Sequence, residues 1–167
     1  AGAGALGDIG SHSFQLVEFV TGAKVSEVAA DVTAIVPGRP IDDNVNVLLR
    51  FANGARGSLW ASQVAIGHLN SHRLRVYGET GSIQWFQERP EELLIVEAGE
   101  APRFVRRGDP GTPTSSVGLP GGHPEGFIEA FSQLYTDFAE RVTARLENRP
   151  PKAASLFAPD VVTGTRV

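Results

Sequence analysis

Phe14, Val17 and Val20 fall on one helical stripe, flanked by Leu16 and Phe19, and predict a helix that closes at Thr21-Gly22. Ser11 or Asp8 is placed to cap its start. From Val25 the period changes to two. Val28, Ala30, Val32, Ala34 and Val36 alternate with Glu27, Asp31 and Thr33 until Pro37-Gly38-Arg39-Pro40 breaks the run. Val45, Val47, Leu49 and Phe51 then alternate with Asn44, Asn46 and Arg50, and Asn53-Gly54 signals a hairpin. The returning strand, from Ala55 to about Ile66, carries Arg56, Ser58, Trp60, Ser62 and Val64 on one face. Gly57, Leu59, Ala61 and Gln63 lie on the other, and the pattern leaves open which face meets a helix.

Shorter strands follow at Arg73–Tyr77, Ser82–Gln87 and Glu92–Val96, with Phe104-Val105 as a further edge. Gly108 to Gly122 is rich in Gly, Pro, Ser and Thr and reads as a long loop. Beyond it, Phe127, Phe131, Leu134, Phe138 and Val142 form an apolar stripe widened by Ile128, Tyr135 and Leu146. Glu129, Gln133, Asp137, Arg141 and Arg145 occupy the opposite side. This predicts a long helix able to cover a sheet face. The class is α+β: about six strands in an open, largely antiparallel (mixed) sheet, with helices packed on one face.

Composition narrows the function classes. A chain of 167 residues fits one domain with a real core. The formal net charge of −4 gives no reason to expect a nucleic-acid or anionic-membrane partner. With no cysteine, disulfides, thiolate catalysis and thiolate-ligated zinc are excluded, in agreement with a cytoplasmic location. No initiator methionine is present, and both ends read as cuts through a longer polypeptide.

Three places carry candidate chemistry. Asp8 and His12 stand four apart, so a helix start would point them in one direction. A carboxylate beside an imidazole orients it for taking a proton from an alcohol. Gly7 and Gly10 would let the backbone approach a ligand. The plainer alternative is that Asp8 caps the helix and His12 is a surface histidine. His123 precedes the long helix and could touch a substrate hydroxyl, or simply belong to the capping region. His68 and His72 have the spacing of a metal pair, but they lie between strands without a third ligand, so no metal is assigned. Trp60, Trp85 and Phe86 read as sheet packing; Arg73, Arg75, Arg103, Arg106 and Arg107 read as a solvated set. Gly2 and Gly4 are spaced by two, but no strand precedes them as a dinucleotide-binding turn requires.

Ordered motifs along the chain resemble one family. Gly7–His12 matches an Asp-x-Gly-x-His segment, and Phe19–Gly22 matches the end of the following helix. Phe51–Ser58 and Val76–Trp85 resemble successive hairpins, and His123–Phe127 is similar to a subset of bacterial sugar dehydrogenases. The chain thus resembles the C-terminal domain of the glucose–fructose oxidoreductase / inositol dehydrogenase / rhizopine catabolism (Gfo/Idh/MocA) oxidoreductases. The resemblance implies that His12 takes, or helps take, a proton from a substrate hydroxyl. Hydride passes from the same carbon to NAD or NADP, while Asp8 binds substrate and tunes His12. It adds His123 as a substrate-binding candidate.

The resemblance also implies that residues 1–167 are a substrate-binding, catalytic C-terminal domain. A Rossmann nucleotide-binding domain, with a Glu-Lys-Pro lysine that completes the site, and a final C-terminal helix would lie outside this chain. The cofactor would be held mainly by that other domain, and the fragment alone would be inactive. The substrate would be a sugar, cyclitol or related polyol, and the open sheet face would form a homo-oligomer contact. Two alternatives stand beside this reading: a non-catalytic binding or oligomerisation domain, and a redox-neutral glycoside-cleaving member of the family.

Overall fold

A computed structural model describes residues 3–112, 122 and 126–166. They form two compact units: residues up to Gly78 with Ser82–Glu88, and Glu79–Gly81 with Arg89–Arg166. Among the described residues, seven strands make two antiparallel sheets, of three and four strands, accompanied by three α-helices. The class is α+β with open sheets. The third strand ends at Ser62, short of Ile66. A turn follows, in which the His68 amide donates to the Ala65 carbonyl at 3.2 Å.

In the first unit, a helix α1 (Ser11–Thr21) lies on a sheet of β1 (Val25–Thr33), β2 (Asn44–Phe51) and β3 (Arg56–Ser62). Alternation on β2 does what the sequence pattern demands: Val45, Val47, Leu49 and Phe51 are buried. They pack with Ala5, Val17, Ala23, Val25 and Leu59. Burying aliphatic side chains of this size contributes about 1.5–3 kcal/mol each. The register sets Val45 against Ala61, Val47 against Leu59 and Leu49 against Gly57. The Gly57–Leu59–Ala61 face is therefore the one under the helix, and Trp60 stands on the open face at 61% exposure. Val28, Ala30 and Val32 of β1 share the helix side by register, yet all three are exposed, so the helical layer covers β2 and β3 and stops short of β1.

The link between β1 and β2 is organised by Asp43, which is fully buried. Its carboxylate accepts from the amides of Ile35 (2.7 Å) and Val36 (3.0 Å) and pairs with Arg39 at 3.2 Å. Desolvation pushes this carboxyl up, but the two amide bonds and the guanidinium outweigh it and hold it below its ordinary range. The β2–β3 hairpin closes over four residues, 52–55, with Gly54 at φ +90° and the Ala55 amide on Asn53 Oδ1. Next, β4 (Arg73–Tyr77) pairs with β5 (Gly81–Phe86), setting Leu74 against Trp85 and Val76 against Ile83.

In the second unit, β6 (Glu92–Glu97) pairs with β7 (Arg103–Arg106). Of the basic set read as solvated, Arg73, Arg75, Arg103 and Arg106 are exposed, and several also have partners. Arg103 pairs with Glu97, Arg106 with Glu92, and Arg107 with Glu91 at 2.7 Å. In the first unit, Arg73 stacks its guanidinium 4.5 Å from the Phe86 ring centroid. Ion pairs as exposed as those of Arg103 and Arg106 contribute little to stability.

The helix α2 (Phe127–Leu146) forms where the stripe predicts it. Its burial runs opposite to expectation. Asp137 and Ala144 are buried, whereas Phe127, Tyr135, Phe138 and Leu146 are each at least two-thirds exposed. The polar side is drawn in by the chain that follows. Arg149 forks onto Glu140 (2.6 and 3.2 Å), Lys152 donates its amide to Glu140, and Arg141 donates to the Ala158 carbonyl. A 3-10 turn (Ala153–Phe157) and a short α3 (Val161–Gly164), capped by the Asp160 carboxylate on the Thr163 amide, complete the unit. No helix among the described residues is long and apolar enough to cross a membrane.

Candidate active site

Asp8 and His12 lie on one unbroken helical run. A π-helical turn (Leu6–Gly10) enters α1 directly, and the Ser11 amide reaches back five residues to the Leu6 carbonyl. Such widened turns in helices occur often at functional sites. Gly10 is buried here; a Cβ on it would sit 3.2 Å from Leu6 Cδ1 and 3.9 Å from Leu59 Cδ2. Glycine thus lets the turn settle on β3. The sequence expectation placed the helix start at Ser11 or Asp8. The structure starts it earlier, so neither residue is the cap. Ser11 Oγ donates within the helix to the Gly7 carbonyl at 2.9 Å.

The cap comes from far along the chain. Asp42, at the approach to β2, accepts the Leu6 amide on Oδ2 at 2.7 Å and the Ala5 amide on its backbone carbonyl at 3.1 Å. Gly4 must be glycine for this approach, since a Cβ would collide with the Asp42 carboxylate and carbonyl. This also bears on the glycines at Gly4 and Gly7. A pyrophosphate needs free amides at a helix start. Here the Ala5 and Leu6 amides are taken, and a carboxylate stands where an anion would sit. These two amides are therefore not open to a pyrophosphate.

With the cap supplied by Asp42, the side chains of Asp8 and His12 are left exposed, and no hydrogen bond or ion pair occupies either among the described residues. An exposed imidazole and carboxylate on a fixed helix can receive a hydroxyl proton and a hydroxyl hydrogen bond respectively. The far end of α1 is equally fixed. Buried Glu18 accepts the Val25 amide at 2.8 Å and pairs with Lys24 at 2.9 Å, and Gly22 adopts φ +66° as the helix stop.

His68 and His72 do not converge. His68 Nδ1 bonds Ser71 Oγ at 2.8 Å, whereas His72 lies between Ser13 Oγ and Gln87 Oε1, 3.1 Å from each. Among the described residues no three His, Cys, Asp or Glu side chains gather as metal ligands. His123 lies outside the described residues. Asp42 and the Ser13–His72–Gln87 chain went unnoticed in the sequence. Asp42 reaches Leu6 across 36 positions, Ser13 reaches His72 across 59 and His72 reaches Gln87 across 15, and no short spacing marks such pairs.

Comparisons with known proteins show the family. The GFO/IDH/MocA C-terminal domain family matches residues 1–84, the stretch that contains Asp8, His12, Asp42 and His72. The uncharacterized oxidoreductase YfiI of Bacillus subtilis (strain 168) is 30% identical over 164 residues, covering 95% of this chain and 42% of YfiI. An oxidoreductase structure from Sinorhizobium meliloti superposes with a TM-score of 0.86 at 38% identity, over 98% of this chain and 46% of that one. An inositol dehydrogenase homolog from Azotobacter vinelandii, solved with NADH and myo-inositol, gives a TM-score of 0.75 at 28% identity. That match covers 91% of this chain and 44% of the homolog. The chain spans less than half the length of each of these relatives.

Proposed function

The chain belongs to the GFO/IDH/MocA C-terminal domain family, and on that premise we propose that it is the substrate-binding, catalytic domain of an NAD(P)-dependent oxidoreductase acting on a sugar, cyclitol or related polyol. The observation that carries this is the presentation of Asp8 and His12, exposed and unpaired, on a helix whose start is capped by Asp42. His12 takes the proton of a substrate hydroxyl, and Asp8 holds a hydroxyl of the same substrate. A nicotinamide cofactor would supply the hydride acceptor for the carbon bearing that hydroxyl. The cofactor would be held mainly outside this chain, in keeping with the occupied amides of Ala5 and Leu6. The NADH and myo-inositol of the Azotobacter vinelandii homolog support the cofactor and the polyol class. A cytoplasmic location suits a nicotinamide-dependent reaction of this kind.

The test is steady-state turnover of the intact protein with NAD or NADP and a panel of polyols. His12→Ala is expected to lower kcat by about two orders of magnitude or more, the range of a lost general base. Turnover near wild type would remove His12 from this role. Product analysis separates net oxidation from redox-neutral cleavage. The same reading places a homo-oligomer contact on the open sheet face, where Leu48 and Trp60 are 66% and 61% exposed. Leu48→Glu is expected to shift the protein to smaller species in sedimentation, and an unchanged distribution would place the contact elsewhere.

A further inference from the structure

The helix that carries His12 is gripped at the neighbouring residue. Ser13 is half-buried, and its hydroxyl lies 3.1 Å from Nε2 of His72, the residue just before β4. His72 is itself fixed on several sides. Its Nδ1 lies 3.1 Å from Gln87 Oε1, and its ring meets Trp85 edge-on with centroids 6.0 Å apart. Its backbone amide bonds Asn70 Oδ1, and its carbonyl accepts the Gln87 amide at 2.9 Å. Gln87 Oε1 can only accept, so Nδ1 carries the proton, and the Nε2 lone pair is left for the Ser13 hydroxyl. The chain of donors runs Ser13 to His72 to Gln87, with every partner satisfied.

Packing does not require this chain. α1 is already held at its start by Asp42 and at its end by Glu18, and Val17 packs on the core. A polar contact in the middle adds something different: it fixes the rotation of the helix about its axis one residue from His12. A small rotation would swing His12 and Asp8 together away from a hydroxyl, and misplacement of about 1 Å can cost about 100-fold in rate.

We infer that His72, acting through Ser13, is a positioning residue that sets the rotation of the Asp8–His12 helix for proton transfer; this rests on the function proposed above. The experiment uses the intact protein with saturating nicotinamide cofactor and a turned-over polyol. His72→Phe keeps the ring against Trp85 and removes both hydrogen bonds. It is expected to lower kcat about tenfold, with the KM for cofactor unchanged. His72→Gln, whose amide reaches the Nε2 position, is expected to restore most of that loss. Ser13→Ala removes the same bond while favouring helix, so it should lower kcat as much as His72→Phe without lowering thermal stability. The double variant should be no slower than either single one.

Wild-type kcat in both His72→Phe and Ser13→Ala, with turnover abolished in His12→Ala, overturns this inference alone. Additive losses in the double variant, or no rescue by His72→Gln, overturn it too. Retained turnover in His12→Ala overturns the catalytic reading, and this inference with it.

Discussion

Removing the Asp42 side chain tests the claim that a distant carboxylate organises the helix start. Asp42→Ala leaves the backbone carbonyl on the Ala5 amide but deletes the 2.7 Å bond to the Leu6 amide. Loss of a side-chain cap costs about 1 kcal/mol, within a range of about 0.5–2 kcal/mol. Loss of negative charge at a helix N-terminus adds about 0.3–1 kcal/mol. Together these predict about 1–2 kcal/mol, and the effect is local because Val17 and Glu18 still hold the rest of α1. In hydrogen–deuterium exchange on the intact protein, that is roughly a 5- to 30-fold loss of protection in a peptide covering residues 4–21. Asp42→Asn keeps an acceptor and should lose only the charge component. Gly4→Ala should cost about 1–3 kcal/mol in the same segment, because its Cβ drives into Asp42. Combining Gly4→Ala with Asp42→Ala should relieve only the side-chain part of that clash, since the Asp42 carbonyl stays in the way. Unchanged protection in Asp42→Ala would refute the cap, and equal losses in Asp42→Asn and Asp42→Ala would show that the hydrogen bond is not what matters.

Two further outcomes follow from the packing. Phe51→Ala removes a ring that is 7% exposed and fills the space beside Gly57, and should cost about 3–5 kcal/mol in chemical denaturation; a loss under about 1 kcal/mol would place the core elsewhere. Glu140 is held down from 4.5 to about 2, first by the Arg149 guanidinium and then by the Lys152 amide. A depressed carboxylate stabilises fully above its unfolded value and loses that contribution as pH falls through the folded one. The Lys152 amide resonance should therefore titrate with a midpoint near 2, and a midpoint near 4.5 would refute the clamp. In Glu140→Gln this transition should be absent.

The parts of the fold legible in the sequence are those written in short periods. The alternation of Val45, Val47, Leu49 and Phe51 gave β2 and its buried face, and Gly22 gave the end of α1. The strand pairs at Arg73–Tyr77 with Gly81–Phe86, and Glu92–Glu97 with Arg103–Arg106, also fell close to their expected limits. Alternation could not say where a sheet stops being covered. Val28 and Val32 carry the same apolar signal as Val45, and they are exposed because the helical layer ends at β2. The stripe of α2 shows the same limit. Periodicity gave a helix with one apolar side, but the partners that bury a side are set by the Arg149–Glu140 and Arg141–Ala158 contacts, which draw in the polar one.

The candidate site divides along the same line. Asp8 and His12 stand four apart and fall on one helical run, although no hydrogen bond or ion pair joins them among the described residues. What a spacing cannot say is whether such a carboxylate is free or already spent as the helix cap. That question is answered by a residue 36 positions from Leu6. Once Asp42 takes the amides of Leu6 and Ala5, Asp8 is released from the plainer role. One contact thus bears on the two readings of Asp8 that its spacing left open. It argues for treating the ownership of helix-start amides as the first structural question wherever an acidic residue and a glycine string share a helix N-terminus.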